Sequence, residues 1–141
     1  MILNRILHLK NLAAYTPRLL ELHTTLDGKW EPDLSQEEFF LALINNFGKG
    51  GYYFGDFIRG DLAYFAVLLR DTEKKATFWL FYMNPKLRTE TKGILLALKD
   101  VMKSEGFSTV YTQSTRTSSS YERWLEKFGA EKLAITYKFS L

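Results

Sequence analysis

Apolar positions along this chain change period in a definite order, and the changes mark out the elements. An apolar stretch over 2–9 predicts a short first strand. Over 11–26 the apolar residues fall at Leu12, Tyr15, Leu19, Leu22 and Leu26, three or four apart as on one face of a helix. Pro17 interrupts that helix, so two short pieces are allowed. The polar run 27–33 is a loop. Ser35 and Glu38 then make a capping box that opens a second helix through about Phe47. The run Gly48-Lys49-Gly50-Gly51 ends it. Strand-like segments follow over 52–58, 62–70 and 77–83, separated by connections short enough for hairpins, which predicts an antiparallel meander.

Beyond the meander the helical period returns. Ile94, Leu95, Leu98, Val101 and Met102 share one face of a helix running from near Arg88 to Glu105, and Gly106 supplies its stop. A strand centred on 110–113 comes next, parallel to the previous one. Ser119 and Glu122 form another capping box, opening a helix to Phe128 that Gly129 ends, and 133–139 reads as a last strand. The predicted order is β-α-α-β-β-β-α-β-α-β, an α/β (α+β) arrangement. With no linker, repeat or low-complexity tract, 1–141 reads as one domain.

Composition narrows the chemistry. At 141 residues, 46% hydrophobic and 25% charged, the chain is long enough to bury a substantial core. No apolar run approaches the roughly 18 residues of a membrane span, and the first ten residues lack a signal-peptide cleavage pattern. A cytoplasmic protein is expected, with no membrane partner. There are no cysteines and only two histidines, His8 and His23, which excludes disulfides and a cysteine nucleophile and argues against a metal site. The net charge of +3 is spread without a dense basic run, so nucleic acid is not indicated as a partner.

One stretch combines charge with a special backbone position. Asn84-Pro85-Lys86-Leu87-Arg88-Thr89-Glu90-Thr91-Lys92-Gly93 carries the chain from a strand into a helix N-terminus, where free N–H groups and the positive end of the helix dipole favour an anion. Lys86, Arg88 and Lys92 add formal charge, and phosphate is the expected ligand. This stretch resembles the GCN5-related N-acetyltransferase (GNAT) superfamily. There, a strand ending in apolar-x-Pro-x-x-Arg leads into an Arg/Gln-x-x-Gly-x-Gly/Ala loop. Met83 to Arg88 matches the strand exit, Arg88 takes the first loop position and Gly93 the last, while Thr91 stands where the middle glycine belongs. The cofactor motif is thus degenerate. The later segment Leu125-Glu126-Lys127-Phe128-Gly129-Ala130 resembles the family's Tyr-Glu-Lys-Leu-Gly-Phe, with Leu125 in place of the tyrosine and Ser118 in place of an upstream asparagine.

The resemblance implies a mixed central sheet of six to seven strands with about four helices. It also implies acetyl-CoA as cosubstrate, its pyrophosphate on Arg88, Thr89, Glu90, Thr91, Lys92 and Gly93. The thioester carbonyl would lie against backbone N–H groups of Phe81, Tyr82 or Met83, where the strand splays from its parallel neighbour. Thr89 and Thr91 bring β-branched side chains into the loop, and the Glu90 carboxylate must point away from a bound phosphate. Tyr121, one helical turn before Leu125, is the candidate acid for the leaving thiolate. Glu31, Asp33, Glu37, Glu38, Asp56 and His23 fall in regions that line the acceptor cleft of such a fold, without singling out a base.

Two functional readings follow. One is an acyl-CoA-dependent N-acetyltransferase acting on a small-molecule or protein amine. The other is a catalytically inactive GNAT-like protein, of viral origin for instance, used for binding, regulation or assembly through a protein partner. Tyr52, Tyr53, Trp30 and Trp124 are candidate patch residues for that second reading, within a 16% aromatic content.

Overall fold

The computed structural model describes residues 3–25, 30–112, 126, 127 and 129. Within them lies a five-stranded mixed sheet of order β1-β2-β3-β4-β5, formed by β1 (Arg5–Ile6), β2 (Tyr52–Ile58), β3 (Asp61–Arg70), β4 (Lys75–Met83) and β5 (Thr109–Thr112). The first four pair antiparallel, and β5 runs parallel to β4. Among the described residues the helices α1 (Leu9–Ala13), α2 (Thr16–Thr25), α3 (Gln36–Gly48) and α4 (Ile94–Ser104) accompany the sheet. The predicted strand over 133–139 and most of the helix before it lie outside the described residues. Of that helix, Glu126 and Lys127 are helical, and Gly129 takes φ +87° with its N–H on the Glu126 carbonyl, the left-handed stop expected of a glycine there.

Several boundaries differ from the sequence reading. The first strand is two residues long, because His8 caps α1 and its carbonyl takes the N–H groups of Asn11 and Leu12. The predicted helix over 11–26 is two helices, with Pro17 in the first turn of α2, where its missing donor costs nothing. The helix expected from Arg88 begins six residues later, at Ile94. Residues before it are taken up by a single 3-10 turn over Pro85–Leu87 and by further turns. The capping box at α3 forms as predicted, Glu38 N–H on Ser35 Oγ and Ser35 N–H on Glu38 Oε1.

The sheet separates two apolar layers. On one face α1, α2 and α3, with Tyr15 from the turn between the first two, bring Leu12, Tyr15, Leu19, Leu22, Phe39 and Leu43 onto Tyr53, Phe65, Val67, Leu80 and Tyr82. On the other, Ile94 and Leu98 of α4, with Leu87 and Phe107, cover Phe54, Ala66, Leu68 and Phe78. Two β-bulges shift the phase of this alternation. Asp56 faces Tyr64 while Phe57 faces Leu62, leaving Ala63 as the extra residue. Val67 faces Leu80 while Leu68 faces Phe78, leaving Trp79 as the extra residue of β4. Trp79 and Leu80 therefore both turn toward the helical layer of α1–α3, and the bulge re-aims the strand at that point. Tyr53, read as a patch candidate, is fully buried, with its hydroxyl donating to the Leu43 carbonyl at 2.6 Å.

Candidate functional site

The exit of β4 is built around Asn84. It is buried, and every polar group it carries is used: its N–H donates to the carbonyl of the bulged Ala63 at 2.9 Å, Nδ2 donates to the Leu62 carbonyl at 3.0 Å, Oδ1 accepts from Lys86 N–H at 2.9 Å, and its carbonyl accepts from Leu87 N–H. The side chain thus ties the start of the loop to β3 and opens the 3-10 turn, with Pro85 at a position needing no donor. This anchor went unremarked in the sequence, although Asn before Pro is a turn signal in its own right.

Thr91 shapes the rest of the loop. Standing where a glycine would give the backbone room, it is instead turned fully inward, and its hydroxyl and N–H both donate to the Leu87 carbonyl at 2.9 and 3.0 Å. Its Cβ therefore does not enter the space in front of the loop, contrary to expectation, and neither of its donors is offered there. Gly93 is the residue that keeps that space clear. It is the N-cap of α4, with no side-chain cap, and a Cβ built on it meets no atom within 4 Å. At the same helix end Ile94 N–H bonds Thr91 and Ala97 N–H bonds Gly93. The N–H groups of Lys92, Gly93, Leu95 and Leu96 take no acceptor among the described residues.

Charge around this helix end is sorted by sign. Glu90 is held by Arg59 at 2.6 Å, and that hydrogen bond holds its carboxyl below the ordinary range. Arg59 and Gly60 make the two-residue turn between β2 and β3, with φ +50° and +81°, the paired positive angles of a hairpin turn that follows the sheet twist. The hairpin tip thereby occupies the acidic residue of the loop. Lys86, Arg88, Thr89 and Lys92 are exposed, and among the described residues none of these three cations is ion-paired.

The strand candidates lie just upstream. β5 pairs with β4 in the described register from Lys75 opposite Thr109 to Phe78 opposite Thr112. Tyr82 is buried, while Phe81 and Met83 are half-buried. Trp30 is buried rather than forming a surface patch, its ring edge-on to Tyr82 at 6.1 Å.

The other expected acids and bases separate into roles. His23 is buried and stacked on Phe39 at 4.4 Å. Gln36 Nε2 donates to its Nδ1 at 2.7 Å, so Nε2 carries the hydrogen and donates to the Glu31 carbonyl at 3.1 Å. It is a structural histidine with both nitrogens engaged. Glu38 belongs to the capping box, and the Ser35 backbone N–H holds its carboxyl below the ordinary range. Asp56 accepts its neighbour Phe57's N–H at 2.8 Å. Asp33 and Glu37 are exposed, as is His8. Glu31 is half-buried and accepts Trp79 Nε1–H at 2.8 Å. Tyr121, Ser118, Leu125, Ala130 and Trp124 lie outside the described residues.

No protein-family model and no curated protein sequence matches the chain. Solved structures do match in shape. An acetyltransferase from Trypanosoma brucei shares 19% identity and a TM-score of 0.64, over 99% of each chain. A ribosomal-protein-alanine N-acetyltransferase from Brucella melitensis aligns at TM-score 0.69 and 14% identity, over 99% of this chain and 98% of that one. An aminoglycoside 6'-N-acetyltransferase from Acinetobacter haemolyticus aligns at TM-score 0.70 and 11% identity, over 100% and 98%. The chain has the GNAT fold. Among the described residues no helix is long and apolar enough to cross a membrane.

Proposed function

We propose that this chain is a single-domain, cytoplasmic N-acetyltransferase that moves an acetyl group from acetyl-CoA directly to an amine, of a small molecule or of a protein. One observation carries the reading: the start of α4 offers backbone donors without acceptors among the described residues, beneath the open face of Gly93 and beside three exposed cations. That is the donor set a pyrophosphate takes. The pairing of Glu90 with Arg59 offsets the acidic side chain of the loop, which would otherwise oppose it. The GNAT fold adds a prior for acyl transfer, and structural neighbours named as acetyltransferases of aminoglycosides and of a ribosomal protein fit an amine acceptor.

In this reading acetyl-CoA supplies the acetyl group as a thioester. Arg88, Lys92 and Gly93 hold the pyrophosphate, with Thr89 at the rim, while Glu90 and Thr91 keep the loop in shape. Backbone N–H groups among Phe81, Tyr82 and Met83 stabilise the carbonyl oxygen as charge develops on it. The acceptor must reach it as a neutral amine, and Tyr121 is the candidate proton donor to the departing thiolate.

The alternative is a GNAT-fold protein without catalysis, used for binding, regulation or assembly. Thr91 favours it, since both its donors are spent on Leu87 where the family loop has a glycine.

Calorimetry with acetyl-CoA separates the two. Micromolar binding that is lost in Gly93→Trp and Arg88→Glu, with unchanged circular dichroism, is the result expected. No binding at millimolar ligand overturns the acetyltransferase reading in favour of the alternative. Retained affinity in both variants refutes the loop assignment.

A further inference from the structure

Glu31 is placed with more constraint than a surface glutamate needs. Its φ is +45°, a backbone state that costs a non-glycine residue free energy and persists only where the surroundings over-determine it. Those surroundings come from two elements. From α2, His23 Nε2–H donates to the Glu31 carbonyl at 3.1 Å, and the carbonyl also takes Leu34 N–H at 3.0 Å. From β4, Trp79 Nε1–H donates to Glu31 Oε1 at 2.8 Å. The preceding residue, Trp30, is fixed against Tyr82 and Phe39.

These contacts lay a short segment across β4 at its bulge. Trp30 sits on Tyr82, and Glu31 sits on Trp79, the extra residue of the bulge. Trp79 precedes Phe81 by two residues, roughly 7 Å along a strand. The carboxylate stands at the far end of the Trp79 indole, on the α1–α3 side of the strand whose next residues are assigned to the thioester carbonyl.

The charge itself is not needed to satisfy the indole. A neutral carbonyl, such as that of glutamine, also accepts an N–H. Among the described residues this half-buried carboxylate has a single neutral donor, a poor compensation for its charge, and no lysine or arginine of those residues pairs with it. A reacting amine must be neutral when it attacks, so a fixed anion serves best for a second, permanently protonated nitrogen on the same molecule.

We propose that Glu31 is the subsite for a second ammonium group of the acceptor, so that the substrate class is a diamine or polycationic amine whose two nitrogens are separated by several carbons. This rests on the acetyltransferase reading. Trp79 is the positioning residue, aiming the carboxylate along β4.

The test uses the full chain with acetyl-CoA and two probes, hexamethylenediamine and hexylamine, which differ by one ammonium group. The wild type is expected to show a KM about tenfold lower for the diamine, the size of one charge-assisted hydrogen bond. Glu31→Gln keeps an acceptor for Trp79 and removes the charge. It should erase that preference, with calorimetric affinity for acetyl-CoA unchanged. Trp79→Phe retains the charge but frees the carboxylate, and should raise KM for the diamine part of the way without changing kcat. A preference that survives in Glu31→Gln overturns the proposal. So does a wild type that binds acetyl-CoA yet favours the diamine neither in rate nor in calorimetric binding. Should Glu31→Gln not fold, an unchanged preference in Trp79→Phe overturns it instead. A wild type that fails to bind acetyl-CoA overturns the acetyltransferase reading first, and this one with it.

Discussion

Two segments meet β4, and they are held in opposite ways. The segment 84–93 leaves the strand through bonds that end at Thr91. Past that point it presents backbone N–H groups, and Lys86, Arg88 and Lys92 stand exposed along it. The segment 30–34 is tied at nearly every turn: Trp30 is buried, the Glu31 carbonyl takes two donors, and the Glu31 carboxylate takes an indole. One leaves positive partial charge open, and the other fixes a negative charge half-buried. The contrast teaches that a helix end binds an anion through groups it has left over, whereas a lone carboxylate must be braced from outside to stay in place.

Removing the brace should have the largest effect. Phe39 is fully buried and touches His23, Trp30 and Trp79 together. Phe39→Ala should cost about 3–5 kcal/mol in urea unfolding. Segment 30–34 should become protease-sensitive before 84–93 does, and the reverse order would break the comparison.

A smaller effect is expected from Thr91→Val, which keeps the shape and deletes the hydroxyl bond to Leu87. About 1 kcal/mol should be lost in urea unfolding, with acetyl-CoA affinity unchanged because that hydroxyl faces inward. A marked loss of affinity would show that the hydroxyl reaches the ligand after all.

The smallest change should come from Glu90→Gln. The bond from Arg59 depresses the Glu90 carboxyl in the folded chain below its ordinary 4.5. Its contribution is therefore complete above that value and lost as pH falls through the depressed one. Thermal melts of the wild type should drop more steeply on the acid side than those of Glu90→Gln, so that the small lead of the wild type at neutral pH disappears there. Equal acid slopes would mean that the pair contributes nothing to folding.

Local features were readable in the chain before its structure. The capping box at Ser35 and Glu38, the short meander connections and the cations around Arg88 all involve neighbours in sequence, where side-chain type decides the outcome. What depends on partners far along the chain was not readable. The α4 boundary lies at Ile94, and Thr91 ahead of it is buried with its donors on the Leu87 carbonyl, an outcome that helical period alone does not reveal. The bulge at Trp79 breaks the alternation that was used to find the strand. Glu31 was one carboxylate among several until Trp79, 48 residues away, and His23 singled it out. The GNAT fold was legible from element order, whereas Thr91 was read as an intruder because only the structure shows which way its side chain turns.

The open face of Gly93 also makes the chain a ready substrate for labelling. A chain without cysteine adds no thiol of its own to an assay, so any thiol that appears comes from the acyl donor. Gly93→Cys would install the sole thiol of the protein at a spot where its Cβ meets no atom within 4 Å, and its rate of alkylation would then report directly whether that space is filled.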